Sequence, residues 1–410
     1  MTILISWKNV WRNKLRSSVI ILAIAIGIFG GIFSDAFLVG MVDKRVDSAI
    51  KYETSNLQIL NPDFLMDESI NNGIARTNAI VDLITDITEI KGISRRLTET
   101  GMAGTAETNA GVLINGIHPQ KEQTVSRIQD KMVEGAYLNE EDQIGILIGR
   151  KLSEKLNAGL GDKIVLSMAD GRGEVVYGAF KVKGIYDTQN HMFDGMQVFV
   201  NYPDLQELLK TPNDYYTKIA IGLQNNDKTA HTKEEIVEKL KLKIEGGDVV
   251  VQDWSEINPT LELMVQSMDY FSWFFIAIIL IALAFGIINT MIMVVMERTQ
   301  EIGMLMAIGM NRGRVFAMIL WETVFLSFVG AIAGMLFSAF ILRLLVSTGL
   351  DLSVVGEGMN AFGIDTVIYP KTNVDFYFTV GIMVFITALI SSVFPARYAL
   401  KLQPALAVRQ

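Results

Sequence analysis

The sequence predicts an α-helical membrane domain of four transmembrane helices, one plus three, with a large α+β extracytoplasmic domain inserted between helices 1 and 2. Three observations predict it. Four apolar stretches stand apart in the 410 residues, each close to the roughly 20 residues a helix needs to cross a bilayer. A long insertion of ordinary soluble composition, residues 43–267, separates the first stretch from the second. Half of all residues are hydrophobic, with a mean hydropathy of +0.34, yet one fifth are charged. Lipid-facing and water-facing parts must therefore be segregated along the chain.

Residues 1–17 place Ile3, Trp7, Trp11 and Leu15 at four-residue steps beside Lys8, Arg12 and Arg16. That is the pattern of an interfacial helix with aromatic anchors. Residues 18–42 form the first span. No short apolar core with a small-residue cleavage site is present, so this span is expected to act as an uncleaved signal anchor.

The insertion 43–267 should begin and end in helical stalks, since Val39, Val42, Val46 and Ile50, and later Leu261, Val265 and Met268, recur at three and four residues. Asn258 before Pro259 supplies an N-cap with proline at the first helical position. Between the stalks, strands are expected over 55–60, 112–117, 164–168, 174–186 and 196–200, where β-branched and aromatic residues cluster. Helices are expected over 79–90, 149–156, 203–209 and 233–243. The glycine-rich run 169–173 is a hairpin turn, because a phosphate loop needs a strand before it and a helix after it.

Residues 268–296 form the second span, including 27 without a charge from Tyr270 to Met296. A short charged loop follows over 297–314. The third span covers 315–346, a second loop 347–375, the fourth span 376–394, and a tail 395–410. Lys8, Arg12, Lys14 and Arg16 precede the first span with no acid among them, whereas Lys371 is the lone basic residue of 347–375. Lys and Arg mark the cytoplasmic side. Both termini and the 297–314 loop are therefore expected in the cytoplasm, despite Lys44 and Arg45, with the insertion on the far side of a bacterial inner membrane. The cytoplasmic pieces, with Arg397, Lys401 and Arg409 in the tail, carry a net +8, which leaves −16 for the rest of a chain of net charge −8. So acidic a remainder speaks against a nucleic-acid partner.

The chain has no cysteine, so the insertion must be stabilised by its own core, which some 200 residues can supply. His118, His191 and His231 lack metal-ligand spacing, and Met192 and Met196 beside His191 are expected to pack rather than bind metal. No nucleophile–base arrangement and no GxxxxGK[ST] loop occurs, so neither an enzyme nor a bound cofactor is expected. Ala23, Gly27 and Gly31 form one small-residue seam and Gly330, Gly334 and Ser338 another, and such seams let helices approach closely, within the chain or across a dimer. Asp35 and Glu322 are ionisable groups inside spans.

The loop residues Glu297, Arg298, Glu301, Ile302, Gly303, Leu305, Ala307 and Gly309 are the core of an ERTQEIGMLMAIG run. It resembles the ERTxEIGxLxAxG signature of ABC transporter permeases in the superfamily that contains MacB, FtsX and the lipoprotein-releasing LolC and LolE. Trp7–Lys14, Pro395–Ala399 with Gln403–Ala405, and the segments 146–162, 181–201 and 253–256 are also similar to that family. Read alone, Ile302, Leu305 and Met306 fall on one face of a short helix that Gly309 ends and Asn311 follows, which equally suits an amphipathic turn on a membrane surface. The resemblance implies instead a coupling helix that receives force from two copies of a separate ATPase holding ATP and Mg. It further implies a homo- or heterodimeric permease, stalks that transmit the motion, and release of lipoproteins toward a periplasmic carrier. Export of peptides or antibiotics as in MacB, or signalling to a periplasmic hydrolase as in FtsX, are the alternatives.

Overall fold

The computed structural model describes residues 2–12 and 14–400. Asn13 and, in the tail, Lys401, Gln403, Pro404, Ala405 and Arg409 lie outside the described residues. The chain divides into two compact units, one of residues 1–41, 266–351 and 367–410, the other of 42–265 and 352–366.

Four helices are long and apolar enough to cross a membrane, so this is a multi-pass membrane protein. They span Lys14–Ser48, Pro259–Glu297, Arg312–Thr348 and Val374–Leu400. The second, of 39 residues, extends about 58 Å at 1.5 Å per residue, nearly twice the hydrocarbon thickness. Its start is set by Asn258, whose side chain accepts from Leu261 N at 3.1 Å. Asn311 caps the third by accepting from Gly313 N.

The first and third spans pack through missing side chains. A Cβ on Gly330 would stand 2.8 Å from Ile24 Cβ, and one on Gly334 2.8 Å from the Ala25 carbonyl, closer than real Cβ atoms come. Ile24 and Ile28 are fully buried as a result. The other seam differs: a Cβ on Gly27 would meet Leu283 at 3.4 Å and one on Gly31 would meet Ile279 at 3.8 Å, both ordinary contacts with the second span.

The inserted unit is built on strands β1 (Leu57–Leu60), β2 (Ile74–Ala75), β3 (Ile90–Gly104), β4 (Asn109–Ile117), β5 (Met132–Gly135) and β6 (Gly145–Gly149). Then come β7 (Lys163–Ala169), β8 (Val175–Tyr186), β9 (Gln197–Asn201), β10 (Tyr215–Tyr216), β11 (Lys218–Leu223) and β12 (Val250–Asp253). Strands β3, β4, β9, β6, β8 and β7 pair in that order, and β7 returns to β3, closing a ring. Leu97, Ile114, Ile148, Leu166 and Val198 are fully buried in the core this ring forms. The ring is tight where β3 lies between β4 and β7: a Cβ on Gly101 would sit 2.6 Å from the Ser167 carbonyl.

The first half of β3 belongs to another sheet. Residues 90–96 pair with β11, which continues to β1 and β12, and residues 97–104 pair with β4. Helices Thr77–Ile84 and Thr229–Lys239 supply Ile80 and Ile236 to the core under this sheet, against Ile59 and Ile219. The unit is thus a mixed α+β domain whose ring and open sheet are joined by one strand.

Most expected elements recur with shifted ends, and some do not. The helix expected over 79–90 stops at Ile84, because residue 90 already pairs in β3. The helix expected over 233–243 begins at Thr229 and breaks at Leu240. Strands β2, β3, β5, β6, β10, β11 and β12 lie outside the expected strands. In β3 the alternation is hidden by buried polar groups satisfied inside: Arg96 forks onto Glu122 at 2.7 and 3.1 Å, and Glu99 accepts from Ile70 N at 2.8 Å. The turn at 169–173 is a hairpin, with Asp170 accepting from Arg172 N and Glu174 N. Met192 and Met196 do not pack: they are 70% and 50% exposed because their six-residue helix, His191–Met196, turns Phe193 and Asp194 inward instead.

Candidate functional site

The link between the second and third spans folds as a helix over Thr299–Ala307. It ends at Gly309, which takes φ +101°, a conformation costly for residues with a Cβ, while Met310 N donates to the Leu305 carbonyl at 3.0 Å. Ile302 and Gly303 are buried and Leu305 and Met306 half-buried. Ala307 and Gly309 are exposed, with Met304 57% and Ile308 79% exposed. The helix therefore packs by one face and leaves a small apolar face open.

Charge fixes the packed face. Arg298 Nη1 donates to both carboxylate oxygens of Glu322 at 3.1 and 3.2 Å, and its Nε to Glu301 Oε2 at 2.9 Å. The Arg298 side chain is 12% exposed and that of Glu322 7%. Buried charges persist only when paired and hydrogen-bonded, so Glu322, ten residues into the third span helix, holds the start of the short helix. Glu301 is bound a second time, by Arg12 Nη2 at 2.6 Å. The Arg12 hydrogen bond, the largest influence, outweighs burial and with help from Arg298 holds the Glu301 carboxyl below the usual carboxylate range. With Glu297, Asn9 and Ser17 these groups line a polar cavity of about 290 Å³.

Arg12 reaches this site because its helix, Thr2–Arg12, docks on the third span. Ser6 Oγ donates to the Met318 carbonyl at 2.9 Å, Trp7 meets Phe325 edge-on at 5.2 Å, and Val10 is buried. The sequence pattern gives this helix a place on the membrane surface and marks Glu322 only as an ionisable group inside a span. Neither reading brought them to the loop, and no sequence signal links Arg12 to Glu301 across 289 positions. Asp35, in the first span, is also buried. Of the residues singled out in the loop, Arg298, Ile302 and Gly303 turn inward, Glu301 is exposed but held by Arg12 and Arg298, Glu297 lines the cavity, and Ala307 and Gly309 lie on the open side. Among the described residues no group of three or more His, Asp or Glu side chains is placed to hold a metal.

Four spans, a folded insertion after the first, and a short helix fastened between the second and third define a transport permease. Residues 17–239 match the family model for the MacB-like periplasmic core domain and residues 273–404 that for the FtsX-like permease C-terminal region. The chain belongs to the MacB/FtsX/LolC-like superfamily of ABC transporter permeases. It is 21% identical over 318 residues to the lipoprotein-releasing system transmembrane protein LolC of Xylella fastidiosa, covering 74% of each chain. It is 27% identical over 299 residues to the pyoverdine export ATP-binding/permease protein PvdT of Pseudomonas syringae, covering 68% of this chain and 40% of that one. The solved periplasmic region of MacB from Actinobacillus actinomycetemcomitans aligns at 13% identity and a TM-score of 0.37, covering 53% of this chain and 98% of that region. The chain is thus a permease subunit that couples to ATPase-driven conformational change.

Proposed function

We propose that this chain is the membrane subunit of a MacB-like exporter that moves peptides or small secreted molecules, powered by two copies of a separate ATPase that hold ATP and Mg. The observation that carries the coupling role is the fastened helix Thr299–Ala307: held by Arg298–Glu322 and Arg12–Glu301, it offers Met304, Ala307 and Ile308 as a rigid open face. A face fixed to the span and to the N-terminal helix can transmit a push, where a loose loop would absorb it. Glu297, Arg298, Glu301, Ile302, Gly303, Leu305, Ala307 and Gly309 are the residues through which force enters.

The positive flanks put the termini and this helix in the cytoplasm and the insertion in the periplasm, with the segment limits given by the hydropathy reading. A second permease chain, identical or related, completes the assembly. The MacB-type match to the insertion and the higher identity to pyoverdine export proteins support export over lipoprotein release. The second reading, delivery of lipoproteins to a periplasmic carrier, is favoured by the resemblance to LolC over 74% of each chain.

The test is ATP hydrolysis by the cognate ATPase with this chain in vesicles. Under the exporter reading, unacylated peptide or siderophore raises hydrolysis. Stimulation by acylated lipoprotein alone would transfer the chain to the second reading, and absence of any complex with an ATPase would end both.

A further inference from the structure

Only part of the chain between the third and fourth spans stays in the unit of the spans. Residues 352–366 belong to the inserted unit, and Leu352 N donates to the Thr366 carbonyl at 2.8 Å where the segment leaves and returns. Its six-residue helix, Gly356–Ala361, ends on a carbonyl, Phe362 O, that accepts from Arg45 Nε at 3.2 Å.

Arg45 is itself fixed. The helix that carries it widens into a π-helical turn over Ala49–Thr54, a local irregularity often found at functional positions. That turn brings Glu53 opposite, where it receives Arg45 Nη1 and Nη2 at 2.9 and 3.1 Å. Glu53 Oε1 also accepts from Asn190 Nδ2 at 2.8 Å, and Asn190 Oδ1 caps the helix that follows by accepting from Met192 N and Phe193 N. The Arg45 and Glu53 side chains are 8% and 12% exposed. Gly363 completes the fit: at φ +69°, it presses so close that a Cβ would stand 2.9 Å from both Arg45 Nε and Asn190 Nδ2. Lys44 and Asp365 add a salt bridge of 3.4 Å beside it.

We propose that Arg45 is a positioning residue that pins the segment 352–366 to the inserted domain, so that movement of the domain pulls on the third and fourth spans through this strap as well as on the first and second through their helices. A guanidinium suits the task because one planar group serves a carboxylate and a carbonyl together. The inference rests on the permease reading above.

The experiment uses the full chain with its ATPase in nanodiscs and two variants that open the contact from opposite sides. Arg45→Gln removes the pin. Gly363→Val displaces the strap and leaves both Arg45 and Glu53 in place, which matters because unpairing Glu53 alone could unfold its surroundings. Hydrogen exchange of amides 356–364 is expected to quicken by about tenfold or more in both, as for a segment that opens locally, while β4 and β9 keep their protection and ATPase binding persists. Cargo moved per ATP should fall several-fold in both. Unchanged exchange in 356–364 in either variant, or released amides with unaltered transport per ATP, overturns the proposal. A wild-type chain that binds no ATPase overturns the permease reading instead, and the exchange result then decides the pin alone.

Discussion

Arg298 and Glu322 face each other across 3.1 Å, one at the end of the second span and the other inside the third, both almost out of contact with water. Breaking one half of such a pair is far more damaging than never having it, because the survivor is left charged and buried. Arg298→Ala is expected to destabilise the membrane unit by about 3–5 kcal/mol. Replacing both partners by Met and Leu should recover most of that loss while abolishing ATPase coupling. Thermal unfolding of the purified variants checks the first expectation, and stimulated hydrolysis the second.

Charge reversal at Glu301 sets a cation against Arg12 and Arg298 at once. Glu301→Arg should insert and fold but lose transport, and Arg12→Glu combined with Glu301→Arg should restore a measurable part of it. Spin labels at Lys8 and Met304, simple to introduce in a chain without cysteine, would report the separation of the two helices. Wild-type spacing and wild-type transport in Glu301→Arg would refute the role given to this contact.

The same contact has a pH signature. Because the folded-state carboxyl of Glu301 is held below its ordinary value, its stabilising share is fully present above the unfolded carboxylate range and disappears as pH falls through the lowered folded value. Helix separation should therefore stay constant from pH 8 to about pH 5, above the ordinary glutamate range, and widen on stronger acidification. A change centred near neutrality would point to another group.

Glu99 in β3 runs the opposite way. Burial pushes its carboxyl up to about 7, so the folded domain holds a proton that the unfolded chain would release. Its contribution is complete below the unfolded value near pH 4 and is lost as pH rises to about 7, at up to about 1.4 kcal/mol per pH unit. Protection of β3 amides, corrected for intrinsic exchange, should fall over that window. Glu99→Gln should flatten the slope and leave the domain more stable at pH 8.

The glycine seams separate by consequence. Gly330→Leu or Gly334→Leu would drive a side chain into Ile24 or the Ala25 backbone, costing about 1–3 kcal/mol or shifting the helices. Gly27→Ala meets only an ordinary contact and should be tolerated. Melting of the three variants in detergent, compared with the parent, decides this.

The four spans and the helix between the second and third were legible because hydropathy and the Gly309 and Asn311 punctuation are local signals. Half of the inserted domain was legible for the same reason, in hairpins such as β7–β8. What stayed hidden was every partnership between distant residues. Arg12 reads as one of several basic anchors, Glu322 as a stray acid and Arg45 as an exception to a charge rule, until folding supplies Glu301, Arg298 and Glu53. Strand β3 escaped because its buried Arg96 and Glu99 look like surface residues without their partners.

Because β3 runs without interruption from the open sheet into the ring, the two halves of the inserted domain have no seam at which they can be cut apart. Neither could be exchanged as a cassette between homologues, since removing one would strip the other of a wall. Diversification toward new cargo is thereby steered to the loops and turns that hang from this shared beam, and away from wholesale domain shuffling.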